Sequence, residues 1–314
     1  MKKDETPESK PKAPKPKPAP KKNRHQELME HAIELVQEEA QTAGSITFSP
    51  RCILLATLPH RDPGNLPIFL RTNGNYTLSI EPGSKLNPDR ISATPLGYPF
   101  GSIPRLVIAW ITTEAVRTKS QEIGLGDNLA DFLRQLDLGN HGGPRGDITR
   151  LRNQMDRLFA SRIGFFHAGE KRDDLGYLRL IERRSYFWEN KRNEQEDPKH
   201  ATVTLTSEFY REIIERPVPL DLRVIHALKQ SSLALDIYAW LTYRMSYLKK
   251  PTLIPWAALQ LQFGSDYSRM RAFKENFLKQ LAAVKLLYSH ARFSTDSKKG
   301  ITLYPSRPQV LKSF

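Results

Sequence analysis

The sequence predicts an α+β protein in which a unit of three helices and a hairpin occurs twice. Two apolar helical strings that end in Ala-Trp, RLVIAW (105–110) and LDIYAW (235–240), begin the two copies. Each string is followed by a second short helical pattern that stops at a glycine, Gly139 in the first copy and Gly264 in the second. A long basic amphipathic helix and a candidate hairpin complete each copy. The repetition predicts two tandem domains of one architecture.

Composition and charge favour a polyanionic partner. The chain has 314 residues, of which 39% are hydrophobic, so we expect two domains with a substantial core. Its formal net charge is +14. Residues 1–24 carry nine Lys or Arg and three Asp or Glu, which gives +6, so the remaining +8 belongs to the folded part. This balance indicates nucleic acid first and an anionic membrane surface second.

Several other classes of protein are disfavoured. Cys52 is the only cysteine, so no disulfide within the chain and no cysteine-based metal site can form, as is typical of the cytoplasm. The longest apolar run, near residues 106–111, is too short to span a membrane. The chain has no phosphate-binding GxxxxGK[ST] motif, no HExxH and no Gly-x-Ser-x-Gly. We therefore expect no catalytic residue, no metal site, no cofactor and no membrane association.

The segment before the first copy is predicted to form a disordered basic tail and an extension of helix and strands. Residues 9–22 are a Lys-Pro tract, which favours an extended, disordered chain. Residues 24–42 have helical spacing and an acidic polar face, so this helix should pack on the body or on a second subunit. CILLATLP (52–59) is predicted as a strand, a hairpin is predicted around residues 73–75, and residues 81–104 are predicted as an irregular connection.

The two copies define the expected domain boundaries. The hairpin of the first copy is predicted from RIGFFHA (162–168) and YLRLIERRSYFWE (177–189). Residues 190–200 are charged and marked by a proline, so we expect a linker there. The predicted organisation is a tail over residues 1–24, the extension with the first domain over 25–200, and the second domain over 201–314.

The third helix of each copy carries the candidate DNA-binding residues. One face of each helix is apolar, and the other presents Arg, Lys, Asn and Thr, which can address base edges and phosphates. In the second copy Glu275 would repel phosphate, so that surface is more ambiguous. The predicted residues of the first helix and its lead-in are Arg145, Thr149, Arg150, Arg152, Asn153 and Arg157. Those of the second are Arg269, Arg271, Lys274 and Lys279, and the hairpins add Arg183, Arg184, Lys298 and Lys299.

Helix, helix, basic helix and hairpin is the order of elements in a winged-helix DNA-binding domain. In such a domain the third helix lies in the major groove, and the hairpin contacts the phosphate backbone or the minor groove. The predicted fold is therefore two tandem winged-helix domains behind an N-terminal strand and helix extension. The alternative for each basic helix is an ordinary solvated surface.

Four long strings in the chain resemble the plasmid-encoded RepA replication initiators. They occupy residues 58–83, 97–138, 149–159 and 234–264, within a similarity that covers about residues 45–310. The resemblance implies an initiator that binds repeated sites (iterons) in the double-stranded origin of its own plasmid and helps to open adjacent AT-rich DNA. It also implies recruitment of the host DnaA and the replicative helicase. Plasmid copy control through a homodimer that represses its own promoter is implied as well.

Other functions remain open at this stage. The first alternative is a winged-helix transcriptional regulator that binds an operator but does not support replication. A second alternative is a basic scaffold that binds proteins through its helical faces and does not prefer repeated DNA. A DNA-cleaving enzyme is the most distant possibility, because no metal-spaced histidine motif accompanies the tyrosines.

Overall fold

The structure, a computed structural model, describes residues 23–126, 128–168, 173–185, 201–264 and 267–311. Within these ranges the chain forms ten helices and several small antiparallel sheets. Most of the expected tail and the whole expected linker at residues 190–200 lie outside the described residues. None of the described helices has the length and apolar character needed to cross a membrane.

The first half of the chain begins with a helix, a strand and a short helix, namely α1 (Arg24–Gln37), β1 (Ile46–Pro50) and α2 (Arg51–Leu55). The segment between α2 and α3, residues 56–101, is the first insertion, and it contains four strands: β2 (Phe69–Asn73), β3 (Tyr76–Glu81), β4 (Ser84–Leu86) and β5 (Ala93–Pro95). Next come α3 (Ser102–Thr118), β6 (Glu122–Gly124), α4 (Leu129–Gln135) and α5 (Asp147–Ala160). The half ends with β7 (Arg162–Ala168), β8 (Asp173–Leu178), β9 (Ile181–Ser185) and β10 (Thr202–Leu205).

The second half repeats this order without the first insertion and without a counterpart of β7 and β8, which form the second insertion. It begins with α6 (Ser207–Glu215), β11 (Pro217–Asp221) and α7 (Leu222–Leu228). It continues with α8 (Ser232–Met245), β12 (Thr252–Pro255), α9 (Trp256–Phe263), α10 (Met270–Leu287), β13 (Arg292–Asp296) and β14 (Gly300–Tyr304). The duplication predicted from the two Ala-Trp strings therefore extends to the helix, strand and short helix that precede each string.

The two halves contain three-stranded sheets of matching order. The order is β6-β10-β9 in the first half and β12-β14-β13 in the second. In the first sheet Val203 of β10 faces both Ile123 and Arg184, and in the second Ile301 of β14 faces both Ile254 and Thr295. The pair β9 and β10 is therefore the counterpart of the C-terminal hairpin. Because β10 follows the boundary expected at residue 200, strand pairing continues across that boundary.

The hairpin predicted for the first half was partly wrong. Residues 162–168 do pair with β8, but along their other edge they pair with β3, from Glu81 opposite Arg162 to Tyr76 opposite His167. These strands form the four-stranded sheet β2-β3-β7-β8. The predicted second strand, 177–189, is divided at Leu180, which is buried, and β9 joins a different sheet. Alternation within a strand does not identify its partner, which here lies about 85 residues away.

Two further local predictions were wrong. CILLATLP begins as α2 rather than as a strand, because Cys52, Ile53 and Leu54 are all buried and such an uninterrupted apolar run has no diagnostic period. The connection at residues 81–104 contains a short two-stranded hairpin, β4 and β5. The hairpin predicted around residues 73–75 is confirmed, with Asn73 opposite Tyr76 and Gly74 at a positive φ of 56°.

The halves are joined by exchange of elements. Strands β1 and β11 form a two-stranded antiparallel ribbon, from Ile46 opposite Asp221 to Pro50 opposite Pro217. Helix α1, which leads the first half, packs on α7 and α10 of the second, whereas α6, which leads the second half, packs on α3 of the first. One continuous cluster of buried side chains extends through both halves. The expectation that α1 packs on the body is therefore confirmed.

A buried ion pair connects the two repeated helices. Arg105 of α3 donates from Nε and Nη2 to the two carboxylate oxygens of Asp236 on α8, at 2.7 and 2.6 Å. The Arg105 guanidinium also donates to the carbonyls of Leu58 and Gly101, and His60 Nε2 lies 2.7 Å from Asp236 Oδ2. Burial raises the pKa of Asp236, but Arg105 and His60 outweigh it and hold that pKa below its ordinary value.

Candidate nucleic-acid interface

Helix α5 has the predicted apolar and polar faces. Leu151, Met155 and Leu158 are buried on the core side. The opposite side exposes Thr149, Arg150 and Asn153 at the N-terminal end and middle of the helix. The N-cap residue is Gly146, and Asp147 Oδ2 accepts from the backbone N–H of Gly139 at 3.1 Å. Asp147 therefore fixes the glycine-rich lead-in, and Arg145 within that lead-in is exposed.

Arg150 is available to a partner. Its Nη1 lies 3.0 Å from Asp147 Oδ1, but 58% of the Arg150 side chain remains exposed. Exposed pairs three residues apart on a helix contribute little to stability, so a phosphate or base edge can compete with Asp147 for the guanidinium. Thr149 is also exposed, and its hydroxyl donates to the carbonyl of Gly143 at 2.8 Å.

Arg157 is largely covered by contacts with other parts of the chain. Its Nη1 donates to Asp62 Oδ2 at 2.9 Å and to the Tyr98 carbonyl at 3.2 Å, and its Nε donates to Asn153 Oδ1 at 3.2 Å. The guanidinium also lies 5.2 Å from the ring centre of Phe100, and only 18% of the side chain is exposed. The first insertion thus covers the C-terminal part of the polar face of α5. The partners lie far along the chain, so helical periodicity could not find them.

The sheet beside α5 carries the two predicted hairpin arginines. Arg184 on β9 lies with its Nη1 2.5 Å from Asp156 Oδ1, which ties β9 to the flank of α5. Arg183 is exposed and stands opposite Thr204 of β10. Arg152, on the same flank of α5, is half-buried. Successive strand residues alternate between faces, so Arg183 and Arg184 have different surroundings.

Helix α10 presents the corresponding surface in the second half. Its buried core side comprises Phe273, Phe277, Leu281 and Val284, and Met270 at its start is partly buried against the core, which confirms the apolar face predicted for this helix. The polar side exposes Arg271, Glu275 and Lys279, and the exposed Arg269 is the N-cap residue.

Lys274 is tied to the C-terminal hairpin rather than free. Its Nζ donates to the Ser297 carbonyl at 2.8 Å and lies 5.3 Å from the ring centre of Trp256. Lys298 and Lys299 are exposed in the same turn, and their backbone N–H groups both donate to Asp296 Oδ1 at 2.8 Å. These two bonds hold the pKa of the Asp296 carboxyl below its usual value and shape the turn.

One loop connects the two basic helices, and the sequence patterns gave no sign of it. His60 contacts Asp236 on α8, the Arg61 guanidinium lies 5.9 Å from the ring centre of Tyr267 just before α10, and Asp62 binds Arg157 on α5. Three consecutive residues thereby contact both halves and bridge α5 to α8 and to the residue that leads into α10.

Across the described part of the chain, no group of three or more His, Cys, Asp or Glu side chains is arranged to hold a metal ion. Cys52 is buried, and burial raises the pKa of its thiol above the ordinary value, so the neutral form is favoured. The features that the two halves share are instead basic, exposed and borne on helices.

Comparison with known proteins gives a family and a fold. A family model described as "Plasmid encoded RepA protein" matches residues 98–256, about half of the chain. A crystal structure of selenomethionine derivatives of domains 2 and 3 of RctB is similar with a TM-score of 0.54 and 13% identity, covering 84% of this chain and 99% of that chain. A second structure of RctB domains 2–3 has a TM-score of 0.50 and 14% identity, with 80% and 94% covered. No curated protein sequence matches the chain.

Proposed function

The chain belongs to the family of plasmid-encoded RepA proteins, which are replication initiators, and from this premise we propose that it starts replication by binding repeated sites in its plasmid origin. Two winged-helix domains do the binding, the first formed by α3 to β10 and the second by α8 to β14. The protein acts on double-stranded origin DNA in the bacterial cytoplasm and performs no catalytic step of its own.

The observation that carries this proposal is the shared order of helices and sheet strands in the two halves. Each half has a basic third helix, α5 or α10, that precedes the last two strands of its three-stranded sheet, directly in the second half and after β7 and β8 in the first. A helix in this place enters a major groove, and two such helices on one face of a duplex need centres about 10 base pairs apart. Arg150 and Arg271, both exposed, are the guanidinium groups best placed to read guanine edges.

The hairpins and helix ends supply contacts to phosphate. Arg183 near the first hairpin and Lys298 and Lys299 in the second are exposed cations beside the basic helices. Full engagement of both domains neutralises roughly 6–10 phosphates, so affinity should fall steeply as salt rises. These contacts strengthen binding to any duplex and do not select a sequence.

The later steps rest on family membership. Occupied repeats promote opening of adjacent AT-rich DNA, and the protein then recruits the host DnaA and the replicative helicase. A homodimer that represses the protein's own promoter would provide copy control. The exposed apolar side chains of α1, including Ile33 and Val36, provide one surface on which such a dimer can be sought.

The test uses the full-length protein and the plasmid's own replication region. Gel-shift titrations should show strong preference for a duplex that carries the repeats over a duplex of the same composition with the repeats scrambled. A plasmid with that region should also replicate, in a host without another initiator, only when the protein is supplied. Preference for repeats without support of replication would identify a transcriptional regulator instead. Equal binding to both duplexes would contradict sequence-specific recognition.

A further inference from the structure

Strands β4 and β5 form a short, solvent-exposed hairpin in the first half, and we call residues 84–95 the flanking hairpin. Its strands pair from Ser84 opposite Pro95 to Leu86 opposite Ala93, and all six strand residues are exposed. Two aliphatic side chains lie open to solvent on it, Leu86 with 71% and Ile91 with 92% of its surface exposed. The second half has no counterpart, since α7 and α8 are separated by only three residues.

The turn of the flanking hairpin is well ordered by hydrogen bonds. Asp89 Oδ1 accepts from the backbone N–H groups of Ile91 and Ser92 at 3.1 and 3.0 Å, and its other oxygen accepts from the Ser92 hydroxyl. These bonds hold the pKa of the Asp89 carboxyl below its ordinary value. Asn87 is bonded to both Ser92 and Thr94, each at 2.8 Å. Ile91 is therefore presented by a fixed turn and not by a loose loop.

The base of the flanking hairpin lies at the C-terminal end of α5. A Cβ atom at Gly83 would lie 2.2 Å from the carbonyl oxygen of Ala160, the last residue of α5, so only glycine allows this approach. The Leu96 N–H closes the base by donating to the Gly83 carbonyl at 2.9 Å. A Cβ at Gly97 would lie 3.3 Å from Arg157 Nη1. From this base the strands and turn reach roughly 10–15 Å.

Charge and shape together indicate DNA as the occupant. Lys85 and Arg90 are exposed and adjoin the aliphatic Leu86 and Ile91 in the sequence, and the single acidic residue of the hairpin, Asp89, is engaged in the turn. Proteins that bend DNA from the minor groove combine basic side chains with an aliphatic wedge that enters between base steps. A reach of roughly 10–15 Å from α5 approaches half of one helical turn of DNA, about 17 Å, and so brings the tip toward the neighbouring minor groove.

We propose that the flanking hairpin binds the minor groove of duplex DNA beside the segment contacted by α5, with Ile91 as the wedge; this rests on the proposed function of α5. Lys85 and Arg90 contact the phosphates that border that groove. Because the second half lacks the hairpin, the additional contact lies on one side of each repeat only. The protein then bends or unstacks DNA at a defined edge of its site.

The experiment compares full-length wild type with Leu86→Ser/Ile91→Ser, which removes the aliphatic tip. Leu70→Ser is the matched control, because Leu70 is an aliphatic side chain that is 55% exposed on β2, outside the basic helices and the flanking hairpin. Hydroxyl-radical footprints are recorded on the plasmid's replication region, since this reagent reports on the minor groove. Affinity is measured on two duplexes from that region, one extending past the protected repeat and one ending at its edge.

Wild type and the Leu70 variant should protect an extra minor-groove patch on one side of the repeat. The Leu86/Ile91 variant should lose that patch and bind the extended duplex roughly tenfold less tightly, with unchanged affinity for the trimmed duplex. Arg90→Asn, which keeps the left-handed backbone at φ 60°, should weaken the patch without abolishing it.

The proposal would be overturned if the Leu86/Ile91 variant gave an unchanged footprint. It would also be overturned if this variant kept the footprint but differed from wild type in self-association, measured by light scattering. The second result would identify a second copy of the chain as the occupant. If wild type protects no repeat at all, the proposed function fails, and the flanking contact fails with it. Loss of the patch alone, with the repeat still protected, supports both.

Discussion

The two basic helices occupy equivalent places in the two halves but differ in their surroundings. On α5 the first insertion covers the C-terminal part of the polar face and holds Arg157 through Asp62. On α10 the polar face stays open at Arg271, Glu275 and Lys279. The first copy of the unit therefore makes internal contacts at positions where the second copy leaves its surface open. Equivalent position in a repeat does not imply equivalent use of each basic residue.

The largest expected effect concerns the buried Arg105–Asp236 ion pair, which joins α3 of the first half to α8 of the second. Asp236→Ala leaves Arg105 buried without its carboxylate, so the free energy of unfolding should fall by about 3–5 kcal/mol. Urea denaturation of the full-length protein measures the loss. The double variant Arg105→Leu/Asp236→Leu should lose clearly less stability than the sum of the losses measured for Arg105→Leu and Asp236→Leu singly. Strict additivity would show that the pair does not couple α3 to α8.

The next effect should appear in binding alone. Arg150→Ala should lower affinity for a cognate repeat by about 1–3 kcal/mol if the guanidinium reads a base, with little change in stability. The matched control is Arg117→Ala, because Arg117 is also an exposed helical arginine, 69% exposed and paired three residues away with Glu114. Fluorescence anisotropy with repeat and scrambled duplexes measures both. Equal losses for the two variants would remove α5 as the reading helix.

Arg157→Ala should act mainly on stability. The change removes hydrogen bonds to Asp62 and Tyr98 and the contact with Phe100, so unfolding should become easier by roughly 1–2 kcal/mol. Denaturation midpoints compared with those of Arg150→Ala would separate the two arginines of one helix. A large loss of repeat preference at unchanged stability would instead show that Arg157 leaves Asp62 to contact DNA.

The smallest effect should come from the second half. Lys274→Ala removes the bond to the Ser297 carbonyl and the stacking on Trp256, at a cost of about 0.5–1 kcal/mol in stability. Lys279→Ala should leave stability unchanged and weaken binding to all sequences, with a salt slope lower by about one. Reversal of these two results would mean that the open face of α10 is not the one that meets DNA.

Helix faces and the internal repeat could be predicted from the sequence, because both depend on the spacing of residues that are close together in the chain. The spacing of Leu151, Met155 and Leu158 identified the core face of α5, and the two Ala-Trp strings revealed the repeat. The pairing of β7 with β3, and the burial of Arg157 against Asp62, depend on residues about 85 and 95 positions away. Such contacts leave no periodic signal. The sequence pattern therefore did not show that β9 and β10, rather than β7 and β8, are the counterpart of the C-terminal hairpin. The contacts of the loop at residues 60–62 were not predicted either.

The exchange of leading helices has a practical consequence for dissecting the molecule. A cut between Leu205 and Ser207 divides the repeats, yet each fragment then lacks the helix that covers part of its surface and one strand of the ribbon. Each fragment studied alone would expose apolar surface that is buried in the intact protein, so its activity would not represent that of the whole chain. Co-expressed as two separate polypeptides, the same fragments should find each other and reconstitute the whole, in the manner of a split reporter.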